Sequence, residues 1–423
     1  MAKIAIVGAG FIGLGAAAWL QRDGHRVTLF DPAGIGEGAS FGNAATFAPY
    51  GCVPVNGPSV FRNLPHFLFG ADSPLRIRWP YLLHGAPWLA RFLLASTPVR
   101  HARSASALAA LLSRAADGYA PLLASARLAA FVRPRECLYL YARQASFDAA
   151  QPSLALRRRL GVPFETLDAS AIRTLEPALA PIFTRGVLFV GSWHFSDPHG
   201  FLGELFAQLA AAGATLERVR VERIVPAGDS VNVQAAGTVR GFDHVVVAAG
   251  ARSREFAAAC GDAVPLDTER GYHVQFGAHE PIVTRPVGWA ERGFYMTPLD
   301  EGLRAAGTVE LGGFDAPMNP SLVALLTRSA REAVPSLGTP TRSWLGFRPT
   351  LPDGVPVIGR ARDSARVIHA FGHQHLGVTL AGVTGQLVAD LVARRAPPLD
   401  LTPYRAARFR RAPRLPPTQG EAS

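Results

Sequence analysis

The stretch "KIAIVGAGFIGLGAAAWLQRDGHRVTLFD", Lys3 to Asp31, decides the fold of this chain. Lys3–Val7 is short, apolar and β-branched, which predicts a strand. Gly8, Gly10 and Gly13 follow as G-x-G-x-x-G, and Ala-rich sequence predicts a helix to Gln21. Gly24 ends that helix, and His25–Phe30 predicts a second strand with Asp31 at its end. Gly8 makes the tight turn, Gly10 lets backbone approach a pyrophosphate, and Gly13 lets the helix pack close to the strand. The helix N-terminus presents free N–H groups and a positive dipole end to phosphates. Asp31 can accept from ribose hydroxyls. With strand, helix, second strand and acid all in register, the stretch predicts a βαβ unit holding a dinucleotide; a plain βαβ turn is the alternative. The motif alone does not separate NAD from FAD, and its place at the start of the chain leans to FAD.

A second small-residue segment, "GEGASFGNAATFAP" (Gly36–Pro49), follows at once. Small residues let backbone run along a large flat ligand, and Ser40 and Asn43 add polar groups. From here the sequence resembles the FAD-dependent D-amino-acid oxidase/dehydrogenase superfamily, which shares the G-x-G-x-x-G strand, the terminal acid and the "GAS-x-GNA" segment. It is most similar to the bacterial D-amino-acid dehydrogenase branch, including hydroxyproline-acting relatives. "DHVVVAAGARS" (Asp243–Ser253) resembles the returning strand of the FAD domain, which makes Ala249 and Gly250 cofactor neighbours. "GFRPTLPDGVPVIG" and "HAFGHQHLGVTLAGVTGQLVADL" (His369–Leu391) resemble the C-terminal block.

The resemblance implies that Arg348, in Gly-Phe-Arg-Pro, grips the substrate carboxylate. A planar guanidinium can do so through two parallel hydrogen bonds; a structural salt bridge under a loop is the alternative. Val367–Phe371 predicts a strand, Gly372 a loop, and the sequence from about Gly377 a helix. The resemblance aims this helix N-terminus at the flavin pyrimidine edge, so Gly372, Gly377, Val378 and Thr379 are cofactor-binding candidates. His373 and His375 lie at the turn, and His375 joins the catalytic candidates; a loop histidine bonded to backbone is the competing reading. Some members of the superfamily attach flavin through a cysteine hereabouts. None lies between Trp344 and Arg360, so non-covalent FAD is expected.

"ERGYHVQF" (Glu269–Phe276) and "GFYMTPLDEGLRAAGTVELGG" (Gly293–Gly313) predict antiparallel strands, the second with a turn at Pro298–Gly302. Tyr272 and Tyr295 are candidates for lining a substrate pocket, or core aromatics. Thr308 and Glu310 sit where the resembling proteins approach the flavin. "FSDPHGFLGELFAQLAAAGATLERVRVERI", from Phe195, predicts a helix opened by Asp197-Pro198, stopped by Gly213 and followed by a strand. The expected fold is α/β: a discontinuous Rossmann-like FAD-binding domain with a β-rich substrate domain. The expected division is 1–58, 152–262 and 342–423 for the first, and 59–151 and 263–341 for the second. Val60–Ser96 is rich in aromatics, leucine and arginine. Two readings stay open for it: helices packed on the substrate domain, or an amphipathic patch on a membrane surface.

Composition bounds the rest. The chain has 423 residues, 48% hydrophobic, with mean hydropathy +0.15, which is globular and long enough for two domains. The net charge of +11 suggests an anionic partner. However, all but Lys3 of the 43 basic residues are arginine, which points to coding bias as much as to a binding face. The short runs Arg157–Arg159 and Arg408–Arg414 read as solvated faces or a tail, and no nucleic-acid partner is expected. Cys52, Cys137 and Cys260 are odd in number and widely spaced, so neither a disulfide framework nor a metal site is expected. No signal peptide or apolar run of about 18 residues is seen, and a cytoplasmic chain is expected, with contact at the inner membrane face through 60–96 left open. The resemblance implies FAD-dependent oxidative deamination of a D-amino acid, or of a cyclic imino acid such as a D-hydroxyproline. Hydride would pass to flavin N5 and electrons then to a quinone or another non-oxygen acceptor. An oxygen-using oxidase, an RNA-base-modifying flavoprotein and a non-catalytic FAD-binding subunit of a larger dehydrogenase are the alternatives.

Overall fold

The computed structural model describes residues 1–58, 75–277 and 282–410. Lys3–Val7 lies at the centre of a six-stranded sheet, parallel to Arg26–Phe30 on one side and to His244–Val247 on the other. Thr215–Glu217 extends the first edge and Val367–Phe371 the second, both parallel. Val357–Arg360 closes it, antiparallel. The sheet thus draws strands from the beginning, the middle and the end of the chain.

Alternation along the central strand sends Ile4 and Ile6 to one face and Ala5 and Val7 to the other. The first face is covered by two helices, Phe11–Arg22 and Gly377–Ala393. The second is covered by an antiparallel meander, Val221–Ala227, Ser230–Ala235 and Thr238–Phe242. The helix Pro198–Ala211 starts as its sequence predicts: Asp197 Oδ1 accepts from the His199 and Gly200 N–H groups.

A nine-stranded mixed sheet forms the second layer. Its long strands Asp267–Phe276, Gly302–Leu311, Phe294–Leu299 and Arg342–Thr350 are mutually antiparallel neighbours. Leu75–Ile77 joins Val309–Leu311 in parallel. Cys137–Tyr141, Arg185–Phe189 and Phe164–Asp168 continue the other end. The strands between 164 and 189 therefore belong to this sheet, whereas the sequence placed 152–262 with the cofactor domain: Phe164–Asp168 pairs with Arg185–Phe189, and that strand with Cys137–Tyr141, not with the parallel sheet. The amphipathic helix Pro320–Ala333 packs Leu322, Leu325, Leu326 and Ala330 against the back of the large sheet. Its front faces a cavity. Among the described residues no helix is long and apolar enough to cross a membrane, and no group of His, Cys, Asp and Glu could hold a metal ion. All three cysteines are free and buried.

Candidate functional site

A cavity of ≈ 1310 Å³ lies between the C-terminal end of the six-stranded sheet and the front of the large sheet. Of the residues singled out from sequence, Gly8, Gly10, Asp31, Ser40, Asn43, Ala249, Gly250, Tyr295, Thr308, Arg348, Gly372, His373, His375, Gly377 and Val378 line it. Gly13, Tyr272, Glu310 and Thr379 do not.

The first wall is the turn after Val7. Gly8 has φ +109°, and a Cβ there would stand 2.2 Å from the Ala248 carbonyl oxygen, so only glycine lets the two strand ends meet. Gly13 faces inward, where a Cβ would fall 1.9 Å from the Gly8 carbonyl; it seats helix on strand. Asp31 holds the turn from the next strand: Oδ2 accepts from the Ala9 N–H at 2.9 Å and Oδ1 from the Ala33 N–H at 3.0 Å. Ser40 Oγ accepts from the Phe11 N–H at 3.1 Å. Asn43 spends its amide on its own loop, donating to the Ser40 carbonyl and accepting from the Ala45 N–H, both at 2.6 Å. Gly10 and Leu376 cap the helices Phe11–Arg22 and Gly377–Ala393 without a side-chain hydrogen bond from the cap residue. Both helices thus bring first-turn N–H groups and positive dipole ends to the cavity. Thr379 instead accepts from the Ala48 N–H at 2.9 Å and anchors the small-residue segment.

The opposite wall is one face of the large sheet. Glu269 and Gly271 alternate with Trp344, Gly346 and Arg348 on the paired strand, in register Glu269↔Arg348 and Gly271↔Gly346. Arg348 lies across Gly271, where a Cβ would be 2.2 Å from its Cζ. A bulge positions the guanidinium. Register shifts between Arg270↔Glu310 and Tyr272↔Gly307, and Thr308 takes a left-handed φ of 57°. Bulges re-aim backbone in this way. Here the Thr308 and Gly307 carbonyls accept from Arg348 Nη1 at 2.8 Å and Nη2 at 3.3 Å. No carboxylate of the described residues ion-pairs with Arg348, so the salt-bridge alternative is not what the structure forms. Burial pulls its pKa below the ordinary arginine value, and Glu269 pulls it back up. Burial likewise raises the Glu269 carboxyl, against Arg348 and the Thr350 hydroxyl. Burial lowers His373 to about 3, so it is neutral at pH 7; His375 is exposed to the cavity, and desolvation and Arg348 shift its pKa downward.

The same alternation corrects the Tyr272 expectation. Tyr272 shares parity with Val274 and Phe276, which sit in the core behind the sheet. Its hydroxyl donates to Glu310 Oε2 at 2.6 Å and accepts from the Asn319 N–H at 3.2 Å. Glu310, fully buried, also accepts from Arg270 Nε at 2.8 Å and Arg78 Nε at 3.0 Å; it stitches the back of the sheet. Tyr295 has the opposite parity from Phe294 and Met296 and faces the cavity beside Tyr139, rings 5.8 Å apart.

Sequence reasoning missed Glu269, Trp344, Tyr50, Tyr139, Arg157 and Gln374 on these walls. It left 60–96 undecided; residues 60–74 lie outside the described ones. The helix Trp79–Ala95 turns Leu82, Leu89, Phe92 and Leu93 to the cavity. Leu83, 88% exposed, and Leu94, 54% exposed, stay in contact with solvent.

The family described as FAD dependent oxidoreductase matches residues 3–391. A D-amino-acid oxidase of Bradyrhizobium diazoefficiens is 34% identical over 415 residues, covering 96% of this chain and 98% of the relative. A D-amino acid dehydrogenase of Cereibacter sphaeroides is 30% identical over 421 residues, covering 94% and 93%. The crystal structure of glycine oxidase from Geobacillus kaustophilus superposes with TM-score 0.75 at 24% identity, covering 96% of this chain and 99% of that one; at that identity the likeness speaks for the fold.

Proposed function

The chain belongs to the FAD-dependent oxidoreductase family, and we propose that it oxidises a D-amino acid, or a cyclic imino acid such as a D-hydroxyproline, to the corresponding imine. FAD-dependent amino-acid oxidation is common ground for the curated relatives; the substrate and the electron acceptor are the proposed part. The observation that carries the reading is Arg348, hydrogen-bonded to backbone carbonyls and, among the described residues, in no ion pair, at the cavity wall with the buried Glu269 beside it on the paired strand.

The cavity suits the cofactor. A Cβ at Gly8 or Gly10 would fill the cradle, the latter at 2.7 Å from Ser40 Oγ. Thr308 Oγ1 and His373 Nδ1, on lining residues, are buried with no hydrogen-bond partner among the described residues. Gly8, Gly10 and the N-terminus of the first helix would hold the pyrophosphate, and Asp31 the adenosine ribose. Ser40 and Asn43 would shape the segment along the flat ring, with Ala249, Gly250, Gly372, Gly377 and Val378 at its edges. When bound, FAD supplies the acceptor for the two electrons that leave with the Cα hydrogen.

The chain's own residues bind and orient. Two of the five Arg348 N–H donors are spent on the Gly307 and Thr308 carbonyls, which leaves a rigid fork for the α-carboxylate. Gly271 keeps the floor beneath it flat, and Gly346 does the same beneath the Trp344 ring. Tyr295 and His375 border the space in which the amine stands, and Arg348 disfavours a charge on His375. Fixing carboxylate and Cα together removes the entropy of orientation from the barrier. The amine reacts neutral, so no catalytic base is assigned. Water then hydrolyses an acyclic imine to a keto acid and ammonia.

A quinone or another non-oxygen acceptor is supported by the helix Trp79–Ala95, whose leucines face both the cavity and the outside. That face would also support contact with a membrane surface. The test is an anaerobic spectrum of the purified holoprotein against a D-amino-acid panel with hydroxyprolines. Bleaching of the visible flavin band supports the reaction, and no bleaching by any member refutes it. Air or a soluble quinone, added afterwards, identifies the acceptor: fast recovery in air alone overturns the dehydrogenase part.

A further inference from the structure

The run Arg157-Arg158-Arg159 looked like a solvated face, and for two of the three it is. Arg158 and Arg159 are exposed, the former over the Phe164 ring at 4.9 Å. Arg157 turns inward from the last turn of the helix Gln144–Arg159 and lines the cavity. Its Nε donates to the Tyr50 carbonyl at 3.1 Å and its Nη1 to Ser153 Oγ at 2.7 Å. The guanidinium lies over Phe189 at 5.7 Å, and the Tyr50 ring stacks on the same Phe189 at 4.0 Å. Among the described residues no carboxylate pairs with it.

The buried arginines among the described residues are each paired. Arg270 is paired with Glu310, Arg285 with Glu176 and Arg304 with Glu301. Of the other arginines on the cavity wall, Arg220 reaches Glu255 at 3.9 Å, and Arg252 is exposed over Phe314 at 4.7 Å. Arg157 and Arg348 make hydrogen bonds to neutral oxygens only, Arg348 with the buried Glu269 carboxyl acting on it from the paired strand. Arg348 is on the large-sheet wall, and Arg157 reaches the cavity over Phe189 of the same sheet. Tyr295 connects them. Its strand pairs it with Ala306, the neighbour of the Gly307 that braces Arg348. Its ring meets Tyr139 at 5.8 Å, and the Arg157 charge acts on both tyrosines.

We propose that Arg157 is a second anion site, so that the substrate is a dicarboxylic amino or imino acid with its α-carboxylate on Arg348 and its side-chain carboxylate on Arg157. Unlike a Lys, a guanidinium fixed by two bonds presents its remaining donors in one plane, as carboxylate recognition requires. The inference rests on the amino-acid reading of the cavity given above.

The test uses the purified holoenzyme. kcat/KM with a dye acceptor is measured for D-glutamate and D-aspartate against D-glutamine and D-asparagine, amides of the same shape. One charge-assisted bond predicts an acid-over-amide ratio of about tenfold to a hundredfold. Arg157→Met should bring that ratio close to one, and Arg157→Lys should keep part of it, with flavin content confirming that each variant folds. Calorimetry with glutarate and butyrate supplies a readout independent of turnover: glutarate should bind about tenfold tighter, and Arg157→Met should erase the difference. A holoenzyme that oxidises neutral D-amino acids with no acid preference, or an Arg157→Met enzyme that keeps the preference, overturns the inference and leaves the oxidation reading intact. If no amino acid is oxidised, the oxidation reading falls, and equal glutarate and butyrate affinities then overturn the Arg157 site on their own.

Discussion

Replacing Arg348 by methionine removes the fork but keeps most of the side-chain volume above Gly271. Two charge-assisted hydrogen bonds to a carboxylate, at about 1.5–3 kcal/mol each, sum to roughly 3–6 kcal/mol. At about 1.36 kcal/mol per tenfold, kcat/KM for a D-amino acid should fall by roughly 10² to 10⁴. Arg348→Lys keeps a point charge and loses the planar pair, so its loss should be smaller, on the order of ten- to a hundredfold. Methionine also leaves the Gly307 and Thr308 carbonyls without the donors that brace them. Flavin content and Tm therefore have to accompany the kinetics. The discriminating control is a substrate without the anion: ethylamine beside D-alanine, both in excess of the dye acceptor. Loss confined to D-alanine places the effect at the carboxylate. An Arg348→Met enzyme with full flavin content and kcat/KM for D-alanine within about threefold of the parent would refute the clamp.

Three further outcomes follow from the structure. Asp31→Ala should weaken FAD by roughly ten- to a hundredfold in a flavin-fluorescence titration, since it removes the proposed ribose acceptor and the bond that fixes Ala9; unchanged affinity would contradict the ribose assignment. Glu310→Ala strands Arg270, both side chains being fully buried, and should cost about 3–5 kcal/mol in urea unfolding; a loss below about 1 kcal/mol would show that the cluster is not what holds the back of the sheet. His194, His273 and His373 are buried, with pKa values lowered by burial to about 4, 3 and 3. The unfolded chain, near 6.5, binds protons that the folded chain refuses, so stability is full above pH 7 and falls as pH drops from about 6.5 towards 4. By pH 5.5 each contributes a loss of about 1.4 kcal/mol; a Tm that is flat between pH 7.5 and 5.5 would show that these rings are not buried neutral.

The glycine-turn wall of the cavity is legible in sequence because its determinants are backbone events. A turn at φ +109° and a helix packed on a strand at Gly13 leave glycines in fixed register, and a strand end leaves an acid. The large-sheet wall is written in side-chain directions, which sequence gives only once a strand has a known face. Glu269 and Gly271 face the cavity while Tyr272 does not, and that parity becomes readable only after Arg348 fixes the face of the paired strand. The bulge is marked in sequence only by the strand glycine Gly307; tertiary pairing puts the left-handed φ on the threonine beside it. Arg157 was hidden for a different reason. In a run of three arginines at a helix end, local sequence cannot choose which one turns in; Phe189 and the Tyr50 carbonyl choose it, from 32 residues downstream and 107 upstream.

The central parallel sheet also sets a timetable for synthesis. Val245–Val247 can pair with the first strand as soon as it leaves the ribosome, but its other edge belongs to Val367–His369. At roughly 5–20 residues per second, the intervening stretch of about 120 residues takes on the order of 6–24 s. For that time a row of three valines and their unpaired backbone groups waits at the centre of the nascent molecule, an edge of the kind that recruits other chains. A message truncated before residue 367 would make that wait permanent, so its product should precipitate instead of persisting as an inactive, cofactor-free protein.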